Sequence, residues 1–146
     1  MELPVLQYVF YFAAPLEKVW EGLVSPEPNR IIFSGAELEI ELRPGGSMNY
    51  VGPGPDGSQM VYVRCEILEV EAPRFLKYTF AMGPSGKTSR VTLELTPESE
   101  AVRVAVTHDG WQADDAATHA SCADGWPRIL SRLKTLLETG KTFKPH

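Results

Sequence analysis

The chain has 146 residues, 43% hydrophobic and 23% charged, a globular balance that excludes disordered and fibrous classes. Its 14 basic against 19 acidic side chains leave a net charge of -5, a poor match for a surface that must neutralise phosphates, so nucleic acid is not an expected partner. Two cysteines and three histidines supply neither a disulfide framework nor a rich metal inventory, and no cofactor is called for.

The longest early apolar stretch, Tyr8 to Ala14, is far too short to cross a bilayer and lacks a basic flank and a cleavage site. A single cytoplasmic domain over residues 1–146 is expected. Pro15 stands at a first helical position, and Leu16, Val19, Trp20 and Leu23 follow at helical spacing. Ser25-Pro26 breaks the pattern and opens a second short helix carrying Ile31 and Ile32.

Strands then alternate with turns. Ala36, Leu38, Ile40 and Leu42 interleave with Glu37, Glu39, Glu41 and Arg43. The same period of two runs through Val61 to Ile67, Leu76 to Phe80, Val91 to Leu95 and Val102 to Val106. Between them fall Pro44-Gly45-Gly46, Gly52 to Gly57, Ala72-Pro73-Arg74, Gly83-Pro84-Ser85-Gly86 and Thr96-Pro97-Glu98, all turn chemistry.

At the end Trp126, Leu130, Leu133 and Leu137 repeat at helical spacing, with Gly140 and Lys141 as stop signals and Asp114 or Asp115 as a cap before Ala116. Pro127 removes one backbone donor from this run, which predicts a kink near Gly125-Trp126-Pro127. The order is a strand, two short helices, six strands and a long helix. That is α+β, a seven-stranded antiparallel sheet folded around one amphipathic helix so that both bury their apolar faces.

The run Phe12-Ala13-Ala14-Pro15-Leu16-Glu17-Lys18-Val19-Trp20 resembles the opening motif of the START-like, or SRPBCC, superfamily. Gly45-Gly46-Ser47-Met48, the segments 69–76 and 89–95, and Thr107-His108-Asp109-Gly110-Trp111 follow its order. The closing segment Gly125 to Glu138 is similar to the Gly-Trp helix of the branch related to the activator of heat-shock protein 90 ATPase. The resemblance implies a helix-grip fold with a cavity between sheet and helix. Its members include hydrophobic-ligand carriers, aromatic cyclases and co-chaperone domains. No catalytic motif is common to them, so none carries over.

On that fold Phe33, Met48, Tyr50, Tyr78, Phe80, His108, Trp111, His119 and Trp126 are expected around the cavity or its mouth, as binding residues for a small hydrophobic or aromatic ligand. Trp126 needs a partner for its indole N–H, and Gly125 is expected to let helix and sheet approach closely.

Other residues are weighed against plainer roles. Asp115 and His119, four apart, could ligate a cation, but a helix cap and a surface histidine explain them as well. Cys122 lies three residues from His119, and Cys65 could meet His108, yet free cysteine usually packs as a small hydrophobe. Arg64 with Glu66 and Arg90 with Glu94 fit surface ion pairs better than buried acid/base pairs. Glu37, Glu39 and Glu41 read as a solvated strand face. The leading expectation is non-catalytic ligand binding. A co-chaperone or other protein-interaction module, and a cyclase- or hydrolase-like enzyme using His108 or His119, are the alternatives. Monomer and homodimer are both open.

Overall fold

The computed structural model describes residues 3–33, 35–83 and 87–144. Strand β1 (Leu6–Phe12) leads into helices α1 (Leu16–Val24) and α2 (Pro26–Ile32). Then come β2 (Glu37–Ile40), β3 (Met48–Pro53), β4 (Gln59–Arg64), β5 (Ile67–Glu71), β6 (Phe75–Met82), β7 (Ser89–Glu98) and β8 (Ala101–Asp109). The chain continues into α3 (Ala116–Thr139). Pro84-Ser85-Gly86, part of one expected turn, lies outside the described residues.

The strands form one antiparallel sheet in the order β1-β8-β7-β6-β4-β3-β2, with β5 also on β6. Only β1 leaves the meander: it pairs with β8 at the far side, Leu6 opposite His108 and Phe12 opposite Val102. The eighth strand comes from the alternating run Val61 to Ile67, which breaks at Cys65 and Glu66. There the backbone serves other partners, Met48 N–H donating to Cys65 O at 3.0 Å and Glu66 N–H to Thr79 Oγ1 at 2.9 Å. The two halves, β4 and β5, lie end to end along β6 and do the work of one bent strand.

Two register shifts sharpen the bend. Tyr50 faces Val63 while Val51 faces Val61, which leaves Tyr62 as an extra residue. Likewise Ile67 faces Tyr78 and Glu69 faces Lys77, with Leu68 extra. Bulges of this kind bend a strand and add local twist, which curls the sheet around α3.

The alternation read from the sequence decides which face is buried. Leu76 and Tyr78, Val91, Leu93 and Leu95, and Val102, Val104 and Val106 are buried, while Arg90, Glu94 and Glu98 of the opposite parity are exposed. Helix α3 contributes Leu130 and Leu133, both 0% exposed, and each such side chain stabilises the fold by roughly 1.5–3 kcal/mol. Helix α1 buries Val19, Trp20, Leu23 and Val24. It approaches α3 through Gly22, where an added Cβ would stand 2.7 Å from Leu133 Cδ1.

Helix α3 runs unbroken through Pro127 and ends at Gly140, whose left-handed φ of 83° suits a residue without a Cβ. Asp115 is its N-cap residue, without a side-chain capping bond. The proline leaves Ala123 O without its helical donor, and the Tyr8 hydroxyl supplies one instead, at 3.1 Å. Arg132, 3% exposed, ties α3 to its neighbours through main-chain carbonyls. Its guanidinium donates to Ile32 O, to Ile31 O at 3.1 Å, and to Phe143 O at 2.7 Å. A cation thus sits at the carbonyl end of α2, where such charge is favoured.

Candidate functional site

Sheet, α2 and α3 do not close completely. A cavity of about 130 Å³ remains between them. Its floor is buried, with Leu23 from α1, Ile32 from α2, Met48 from β3, Tyr78 from β6 and Leu93 from β7. Its walls are half-buried, among them Phe33, Tyr50, Phe80, Trp126 and Ile129, and exposed Ser121 marks its rim.

Six of the nine residues expected from the sequence line this space: Phe33, Met48, Tyr50, Tyr78, Phe80 and Trp126. The parity of the strands explains why. Tyr78 shares the buried face with Leu76, and the register that sets Tyr78 opposite Val91 puts Leu93 in the same floor. Phe33 and Tyr50 pack together with ring centroids 4.6 Å apart.

His108, Trp111 and His119 lie outside the wall, because they are spent on one another behind Trp126. His108 is 0% exposed. Its Nδ1 accepts from the Trp126 indole N–H at 3.0 Å, and its Nε2 lies 2.7 Å from Ser89 Oγ. Since Nδ1 accepts, Nε2 carries the proton and donates to the serine, which passes its own to Phe80 O at 3.3 Å. Trp111 stacks on the imidazole at 4.2 Å and donates to His108 O at 2.9 Å. His119 meets the edge of Trp111 at 5.0 Å and donates to Pro4 O at 2.8 Å. Burial, with the charge of His119 adding to it, pushes His108 down to about 3. It is a neutral internal bracket for Trp126.

Gly125 behaves differently from its expected role. An added Cβ would meet nothing within 4 Å, so the glycine borders open space instead of a close helix–sheet contact. The partner expected for Trp126 is His108.

Asn29, inside α2 and 2% exposed, is a buried polar wall residue that sequence reasoning missed. Its amide donates to the carbonyls at the end of α1, Ser25 O at 2.8 Å, Leu23 O at 3.2 Å and Gly22 O at 3.3 Å. Its Oδ1 accepts from the Tyr50 hydroxyl at 3.3 Å. The one signal available was an asparagine directly between Pro28 and an arginine, inside a segment too short to cap itself.

The Tyr78 hydroxyl has no hydrogen-bond partner among the described residues, although the residue is only 4% exposed. No described side-chain polar atom that is wholly shut away lacks a partner, so this hydroxyl reaches the cavity space. Burial raises Tyr50, Tyr78 and Cys65 far above their ordinary range, and burial together with Asp115 pushes Cys122 up to about 12. The hydroxyls and thiols therefore keep their protons. Among the described residues no histidine, aspartate or glutamate lines the cavity, and no three metal-ligating side chains come together.

The remaining charged residues sit outside. Arg90 pairs with Asp109 at 3.4 Å across β7 and β8, on the wet face. Glu37 and Glu41 pair with Arg30 and Arg43 at 3.4 and 3.1 Å. No helix among the described residues is long and apolar enough to cross a membrane.

This architecture is shared with other solved proteins. Protein MLL2253 of Mesorhizobium loti superposes with a TM-score of 0.76 at 22% identity, over 92% of this chain and 97% of that one. Protein NE0264 of Nitrosomonas europaea gives 0.74 at 24%, over 93% and 95%. PFC0360w, an HSP90 activator from Plasmodium falciparum, gives 0.75 at 16%, over 92% and 96%. No curated protein matches by sequence. A family model described as "Activator of Hsp90 ATPase homolog 1-like protein" matches residues 13–138, from the end of β1 to the last turn of α3, so the chain belongs to that family.

Proposed function

We propose that the chain binds a small hydrophobic or amphipathic molecule in the cavity between sheet and α3. The observation that carries this reading is the cavity itself: space left open beside a well-packed core, with almost wholly apolar walls and few polar groups. Sites for small ligands have this composition. Binding without chemistry fits the groups present, since the tyrosines and Cys122 hold their protons and both nitrogens of His108 are spent within the fold.

Thermal unfolding against a library of lipids and aromatic metabolites tests it. A ligand should raise the midpoint of the wild type and not that of Gly125→Leu, which fills the space. No shift with any class would sink the reading.

A second reading, docking to a chaperone of the Hsp90 type, draws on the family and on the Plasmodium falciparum relative. Val9 and Tyr11 favour it, because they stand two apart on β1 and are 44% and 49% exposed. Retention of the chaperone by the wild type, lost on Val9→Asp with Tyr11→Asp, supports it. No retention removes it.

A further inference from the structure

We infer that the cavity takes an uncharged molecule the size of one aromatic ring, with a hydrogen-bond acceptor at its buried end that receives the Tyr78 hydroxyl. The inference rests on the cavity being a ligand site and adds which chemistry fits it.

Three observations converge. The first is size. The space is about 130 Å³, and a cavity of about 150 Å³ in another protein holds benzene. A single ring fills such a volume, and anything longer extends past the rim at Ser121.

The second is charge. No Lys, Arg, His, Asp or Glu stands in the wall among the described residues. An ion entering this apolar surround would lose its hydration with no partner to replace it.

The third is the unspent donor. The Tyr50 hydroxyl donates to Asn29 Oδ1, whereas the Tyr78 hydroxyl, on the buried floor, donates to no described group. The hydroxyl opens on the cavity with a donor the fold does not use, and a ligand oxygen placed there accepts from it. Removing that hydroxyl breaks no hydrogen bond to a described residue, so Tyr78→Phe should fold as the wild type does.

The experiment titrates acetophenone, ethylbenzene and benzoate into wild type and Tyr78→Phe by calorimetry at neutral pH, with a thermal melt confirming that the variant is folded. The first two ligands share ring and chain length and differ in one carbonyl. The ratio of their affinities should fall by roughly five- to tenfold in Tyr78→Phe, the effect of one neutral hydrogen bond, and benzoate should bind neither protein. An unchanged ratio, or benzoate binding as tightly as acetophenone, overturns the inference while leaving the cavity as a ligand site. Binding of none of the three overturns this inference, and the cavity reading falls with it only where the library of lipids and aromatic metabolites also gives no shift.

Discussion

The Tyr8 hydroxyl on β1 and the Ala123 carbonyl on α3 meet at 3.1 Å, and the bond follows from Pro127 four residues further on. A helical carbonyl normally accepts from the residue four ahead; here that residue has no N–H. A lost helical bond has become a tertiary one. Tyr8→Phe should therefore cost about 1 kcal/mol in the wild type. In Pro127→Ala the restored N–H takes the carbonyl, and the same change should cost less than half as much. A double-mutant cycle by urea denaturation measures this, and equal costs in the two backgrounds would refute it.

Asn29 holds two segments at once, the carbonyl end of α1 and the wall residue Tyr50. Replacing it by leucine keeps the volume and leaves several buried groups unpaired, so Asn29→Leu should lose roughly 2–3 kcal/mol. Tyr50→Phe removes only the weaker link and should lose no more than about 1 kcal/mol. Denaturation midpoints at constant slope decide between them; equal losses would show that Asn29 does not serve α1.

Two helical glycines should answer oppositely to alanine. At Gly125 a methyl group meets no atom within 4 Å, so Gly125→Ala should gain close to the helix-propensity difference, about 0.5–1 kcal/mol. At Gly22 the methyl would sit 2.7 Å from Leu133 Cδ1, in a fully buried contact, and the gain should be lost to overpacking. Thermal melts of both variants check the contrast.

His108 predicts a pH dependence with a definite sign. Folding lowers its pKa from 6.5 to about 3, so above 6.5 both states are neutral and the residue adds no slope. Between about 6.5 and about 3 the unfolded chain takes up a proton that the folded one refuses, and stability falls by about 1.4 kcal/mol per pH unit. His108→Gln should remove that share of the slope, whatever it does to stability at pH 7. Identical slopes between pH 6 and 4 in the two proteins would mean that the imidazole is not held neutral.

The strands and their buried faces were legible because period-two alternation is a local property; Val91-Leu93-Leu95 and Val102-Val104-Val106 could face only one way. The end of α3 was legible from Gly140. The break at Cys65–Glu66 was not, because it depends on Ser47 and Thr79, far away in sequence. The same holds for the site. Aromatic residues on a known strand face could be assigned to the wall, but whether His108 points at the cavity or props Trp126 depends on Ser89 and the position of α3. Asn29 was invisible for a similar reason, since its value lies in carbonyls freed by the end of another helix.

The acidic strand has a consequence for how copies of the molecule meet. β2 ends the sheet on one side, with no described strand paired beyond it, and an open strand edge is a template for fibrils and amyloid-like stacking. It is only four residues long and carries Glu37 and Glu39, with Glu41 directly after it. Two such edges zipped antiparallel would set carboxylates against carboxylates, which cross-strand pairing penalises. The glutamates thus disfavour an edge-to-edge pairing of β2 with a second β2.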